Sequence, residues 1–128
     1  MKLHTQSDFR STMRGGAKAG SRVAVVYVAT RPHNHTVTAP RGPRCGFVVS
    51  KAVGNAVTRH HVTRLLRHIF MNMAGELPTT MDVVIRALPP MATMTTAQLQ
   101  HELGALIQRA ATKAGFQLPP EPADGGAK

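Results

Sequence analysis

The stretch from Ser50 to Phe70 constrains this chain most: Ser50-Lys51-Ala-Val-Gly54-Asn55-Ala-Val57-Thr-Arg59-His60-His61-Val62-Thr63-Arg64-Leu65-Leu66-Arg67-His68-Ile69-Phe70. A turn at Gly54-Asn55 opens a helix. With Val57 at zero and about 100° per residue, Val62, Leu65, Leu66, Ile69 and Met73 gather between about 80° and 180°. His60, Arg64 and Arg67 gather on the opposite side, at about 280–340°, with His61 and His68 at its margin. One face therefore enters a core and the other presents cations. The cationic face holds no Asp or Glu, so i,i+4 ion pairs cannot form there. Lys51 and Asn55 sit just before the helix, where the free N-terminal amides also favour phosphate. A charged face is usually only a solvated one; the missing acids make this one a candidate for a polyanion.

The run from Lys51 to Arg67 resembles the signature of the bacterial ribonuclease P protein subunit, roughly K-x-x-G-N-A-V-x-R-N-R-x-K-R-x-x-R. Lys51, Gly54, Asn55, Ala56, Val57, Arg59, Arg64 and Arg67 match it. His60 replaces the usual Asn, His61 the usual Arg and Thr63 the usual Lys, which leaves less fixed charge and no bidentate guanidinium at 61. The resemblance extends to about residue 115. The residues before Ser7 are few and poor in Arg beside the family's basic start, so the natural start codon is expected upstream.

Charge is distributed unevenly. Residues 1–67 hold twelve Lys/Arg against one acid, Asp8, a net of +11, whereas residues 68–128 hold four against five, a net of −1. The binding surface is expected from the first half and the signature helix. No apolar run of about 18 residues is present, so no spanning helix is expected. The start lacks the apolar core of a signal peptide, and cytoplasm is the default compartment. The single Cys45 rules out an intrachain disulfide and a Cys-built metal site. His33 and His35, without nearby Cys or acid partners, make a weak metal clip.

In chain order, Ser7 or Asp8 caps a short helix that Gly15-Gly16 stops. Phe9 and Met13 share one of its faces, and Arg10 and Arg14 lie a turn apart, for phosphate or for solvent. Arg22–Ala29 reads as a strand, with Val23, Val25 and Tyr27 on one side and Val26 and Val28 on the other. Tyr27 either packs or stacks on a base, as aromatics on sheets do with single-stranded RNA. Thr30–Arg44 is a loop, with Arg41 and Arg44 adding charge. Cys45–Val49 is a second strand, in which Cys45 reads as a small buried hydrophobe; Phe47 faces either the core or a cleft. The signature helix runs to about Ala74 and Gly75 ends it. Asp82–Leu88 is a further strand, and its Arg86 must reach solvent, an acid at a sheet edge or a phosphate. Thr95 and Gln98 form a capping box for a last helix with the stripe Leu99, Leu103, Leu106, Ile107 and Ala110. A single domain over 1–115 and a disordered tail over 116–128 follow.

This order gives an α+β fold, a two-layer sandwich of helices on a small sheet. The resemblance adds a fourth, short early strand, a mixed sheet, a ribosomal-protein-like topology and a left-handed β-α-β crossover, against the usual hand. It also implies the function. The protein would be a non-catalytic subunit of an endoribonuclease, partnered by the ribonuclease P RNA and by precursor tRNA whose 5′ leader is removed. Chemistry would belong to the RNA and its magnesium ions, with no catalytic side chain, no metal held by the protein alone and no small-molecule substrate. Lys51, Asn55, Arg59, His60, His61, Arg64 and Arg67 would face the catalytic RNA. Phe9, Arg10, Tyr27 and Arg86 would line the leader cleft.

Three rivals stand beside this. A general RNA-binding, ribosome-associated module suits the charge and fold equally; only the order of the signature residues disfavours it. A metal-free nuclease would use His60 and His61 as acid and base, but helix neighbours diverge by about 100° and flank one phosphate badly. A structural basic protein would bind without saturation or sequence preference. If His60 and His61 touch RNA, binding strengthens as pH falls through about 6.5.

Overall fold

The computed structural model describes residues 15–30, 43–78 and 80–116. The expected first helix with Phe9 and Arg10, the His33-His35 pair, Arg41 and the tail from 117 lie outside the described residues.

Four strands form one sheet: β1 (Ala17–Gly20), β2 (Ala24–Thr30), β3 (Arg44–Val48) and β4 (Met81–Ala87), in the order β1-β2-β4-β3. The β1–β2 and β2–β4 pairs are antiparallel, and β3–β4 is parallel. Helix α1 (Ala56–Met73) makes the crossover between these parallel neighbours, and α2 (Thr96–Lys113) follows β4. The sheet is therefore mixed, as expected for a chain that joins a hairpin to a β-α-β unit.

Register decides the two faces. Ala19, Val26 and Ile85 lie in one row and Ala17, Val28, Val83 and Cys45 in the next. Most of these side chains are buried in the core under the helices. Helix α2 packs on β1 and β2, while α1 packs against β3 and touches α2. The α2 stripe Leu99, Leu103, Leu106, Ile107 and Ala110 is buried as read, together with Ala111. On α1 the buried set is Val62, Leu66, Ile69 and Phe70; Leu65 and Met73 are only half-buried. The buried stripe is thus shifted towards Phe70.

Three local readings change. Val23 is buried and precedes β2, so it does not share the face of Val25 and Tyr27. The tight β1–β2 turn explains this: Ser21 N–H donates to the Ala24 carbonyl at 2.9 Å and Val23 N–H to Ser21 Oγ at 3.2 Å. Helix α1 stops at Met73 and runs into a 3₁₀ turn over Ala74–Glu76, so Gly75 is not its left-handed cap. That conformation belongs to Gly115, φ 96°, after α2. There Gly115 N–H donates to the Thr112 carbonyl and Phe116 N–H to the Ala111 carbonyl, a Schellman ending. Phe116 packs against the core, so the fold reaches one residue past the expected boundary.

The capping box is present in both directions: Thr95 Oγ1 accepts from Gln98 N–H at 3.1 Å, and Gln98 Oε1 accepts from Thr95 N–H at 3.0 Å. Lys113 Nζ donates to the Lys18 carbonyl at 3.0 Å, tying the end of α2 to the edge strand β1.

Candidate nucleic-acid interface

The start of α1 is built by the residues before it. Val53 N–H donates to the Ser50 carbonyl and Gly54 N–H to the Lys51 carbonyl, at 3.0 and 3.2 Å, which coils the chain into the turn. Val53 is buried and anchors that turn on the core. Asn55 is the N-cap: its Oδ1 accepts from Thr58 N–H at 2.9 Å. A Cβ on Gly54 would lie 2.8 Å from both Cβ and Cγ2 of Thr58, so only glycine fits. Arg59 is half-buried, and its Nε donates to the Gly54 carbonyl at 3.2 Å, which fixes the guanidinium beside the helix entrance.

Beyond this entrance, His60, His61, Arg64, Arg67 and His68 are exposed along one side of α1, and Lys51 is exposed before it. The helix has no acid in its first turn, and the sequence has none between Asp8 and Glu76. The cations therefore repel one another without local compensation and attract an anionic partner. Seven expected residues are thus brought to one end and one face of α1. Asn55 and Arg59 also hold the helix start together, a task the sequence reading did not assign them.

The sheet face away from α1 and α2 is the second candidate site; Val84 and Gly46 at its centre are buried. Alternation puts Lys18, Tyr27, Val84 and Gly46 in one row there, and Gly20, Val25, Arg86 and Val48 in the next. Tyr27 is half-buried and Arg86 exposed. They are diagonal cross-strand neighbours, within reach of each other's side chains. Arg86 lies on the central strand β4, so the edge salt bridge is excluded; among the described residues no carboxylate pairs with it. Phe47 faces the helix side, with Cys45, and is resolved as a core neighbour.

Arg44, read from the sequence only as added charge, is ion-paired. Its Nε and terminal nitrogen bind Asp82 Oδ1 and Oδ2 at 2.9 and 2.7 Å, a bidentate pair across β3 and β4. Asp82 is 5% exposed, the one charged residue buried among those described. Lys18 is the residue missed by sequence reasoning: it stands directly opposite Tyr27. Its strand, Ala-Lys-Ala-Gly, carries no β-branched signal.

Magnesium needs oxygen ligands with room to approach. The described carboxylates are Glu76, Asp82 and Glu102; none is on the cationic face, and Asp82 is taken by Arg44. No group of three or more His, Cys, Asp or Glu is placed to hold a metal among the described residues. This donor set does not fit a resident magnesium ion. No described helix is long and apolar enough to cross a membrane.

Residues 1–111 match the family model described as Ribonuclease P. The chain belongs to the ribonuclease P protein family. It is 42% identical over 108 residues to the ribonuclease P protein component of Corynebacterium diphtheriae, covering 84% of this chain and 91% of that one. The component of Rhodococcus opacus is 44% identical over 108 residues, covering 84% and 86%. The fold matches the Staphylococcus aureus RNase P protein with a TM-score of 0.72 and 28% identity, covering 85% of this chain and 94% of that one. The Thermotoga maritima RNase P protein, at 21% identity and a TM-score of 0.70, covering 85% of this chain and 96% of that one, shares the same architecture. A ribonuclease P protein is a component of an RNA-containing enzyme, so an RNA partner follows, as does a place in tRNA processing.

Proposed function

We propose that this ribonuclease P protein holds two RNAs on two separate surfaces and contributes no catalytic side chain. The acid-free cationic face of α1 carries the reading. Through Lys51, Asn55, Arg59, His60, His61, Arg64 and Arg67 it takes the phosphates of the catalytic RNA. The outer sheet face, with Tyr27 and Arg86, takes the single-stranded 5′ leader of precursor tRNA: the ring stacks on a base and the guanidinium meets a phosphate. Phe9 and Arg10 belong to the same proposed cleft. Neutralising repulsion between the two RNAs raises substrate affinity and metal affinity together.

Magnesium held by the RNA would supply the activated water for phosphodiester attack. The protein's own residues bind, orient and screen. His60 and His61 point away from a common target and are not an acid–base pair.

The test is leader cleavage at low magnesium, with a bacterial ribonuclease P RNA, with and without the protein. Cleavage at the mature 5′ end that requires both components supports the reading. Arg64→Ala then weakens assembly with the catalytic RNA, whereas Tyr27→Ala weakens only leader-bearing substrate. The competing reading is a general RNA-binding module. Binding to both RNAs without stimulation of cleavage would favour it.

A further inference from the structure

Helix α1 exposes two large apolar side chains, Val57 at 78% and Met71 at 54%, the only such residues among those described. Both lie on its cationic side. Seven residues advance a helix by about 700°, so Val57, Arg64 and Met71 stand almost in line, with Arg64 midway. His60 and Arg67 form a parallel column on one flank and His61 and His68 on the other, each again seven apart. The whole face is about 21 Å long from Val57 to Met71. At its far end His68 and Asn72 are hydrogen bonded ring nitrogen to amide nitrogen at 3.4 Å, which aligns both side chains. The matched signature ends at Arg67, one turn short of this end.

We infer that the contact with the catalytic RNA continues past the signature to His68, Met71 and Asn72, and that Val57 and Met71 anchor it at its two ends by apolar contact with sugar and base surfaces. The inference rests on the proposed function and extends the same site. Charge selects the occupant. Arg64 stands in the central line, four cationic or protonatable side chains flank it and no acid does, so a second copy of this face would meet like charge, whereas RNA meets opposite charge. The wide, shallow minor groove of an A-form helix offers 2′-hydroxyls and sugar surfaces to a face of this kind. Neither Val57 nor Met71 has a core to stabilise at that exposure.

The experiment measures binding of the full chain to a bacterial ribonuclease P RNA over a salt series. Val57→Ala and Met71→Ala are each expected to weaken binding about fivefold. The sites are far apart, so the double variant should lose roughly the product of the two. The slope of log affinity against log salt should stay unchanged, because no phosphate contact is removed. Arg64→Ala, in contrast, should weaken binding and make that slope shallower by about one contact. Urea midpoints of the apolar variants should equal that of the parent chain.

A double variant that binds within twofold of the parent overturns the inference while leaving the proposed function standing, provided Arg64→Ala still weakens binding. If the parent chain itself shows no saturable, salt-dependent binding, the proposed function fails first. If Met71→Ala abolishes self-association of the free protein and leaves RNA affinity intact, the face pairs copies of the chain and the inference is wrong.

Discussion

Gly54→Ala tests how the entrance of α1 is built. The new methyl group would sit 2.8 Å from Thr58 Cβ and Cγ2 and 3.3 Å from Thr58 Oγ1. Comfortable carbon–carbon contact is about 3.5–4.0 Å. Thr58 Cβ is fixed to the helix backbone, so a rotamer change cannot relieve the clash; the turn or the first helical turn must move by several tenths of an ångström. That movement draws Asn55 Oδ1 away from Thr58 N–H, now at 2.9 Å, and Arg59 Nε away from the Gly54 carbonyl, now at 3.2 Å. Overpacking costs about 1–3 kcal/mol and a lost N-cap about 1 kcal/mol. Alanine also restricts the unfolded chain, an offset of about 0.4–1 kcal/mol. The net loss expected is about 2 kcal/mol, read as a lower urea midpoint at constant m-value. Thr58→Gly removes the opposing atoms. In that background Gly54→Ala should cost little, giving a coupling of about 1–2 kcal/mol in the double-mutant cycle. A single variant within about 0.5 kcal/mol of the parent, or the same loss in both backgrounds, would refute the close-approach argument.

Asn55→Asp keeps an oxygen on Thr58 N–H and suits the helix dipole, so stability should stay within about 0.5 kcal/mol while RNA affinity falls; Asn55→Ala should lose about 1 kcal/mol in urea melts. Arg44→Met leaves Asp82 buried without its bidentate partner and should cost about 3 kcal/mol, most of it recovered when Asp82 is also made apolar. Burial pushes the Cys45 thiol far above its ordinary pKa, which disfavours the thiolate. Alkylation by iodoacetamide at pH 8 should therefore track unfolding across a urea series, and rapid reaction of the native chain would contradict that burial.

The helix-forming parts were legible because their periodicity and caps are local. The Thr95–Gln98 box and the α2 stripe need only spacings of three and four, and both are found. Strand β1 was legible only through family resemblance, since Ala17–Gly20 is held by pairing with β2 and by Lys113, not by its own propensity. Lys18 was lost with it. Arg86 could not be placed from alternation alone, because strand order decides whether its strand is central or an edge. The pairing of Arg44 with Asp82 spans 38 residues and depends on the parallel register, which no local pattern encodes. Val57 and Met71 are the contrary case. Their angles could be computed from sequence, but their significance appears only when no neighbouring element covers them.

The signature run does two physical jobs, and this limits how its variants can be interpreted. Gly54, Asn55 and the Nε of Arg59 shape the helix entrance through contacts within the chain itself. Arg64 and Arg67 are exposed in the helix interior, where an alanine fits the backbone without loss of helix propensity. A binding defect at Gly54 therefore carries lost stability within it, whereas a defect at Arg64 reads the interface directly. Arg59 belongs to both groups: its Nε is held by the chain, and the remaining N–H donors of the guanidinium project from a fixed anchor. Arg59→Lys would keep the charge and lose that anchor, so comparing it with Arg64→Lys separates the value of a positioned guanidinium from the value of charge alone.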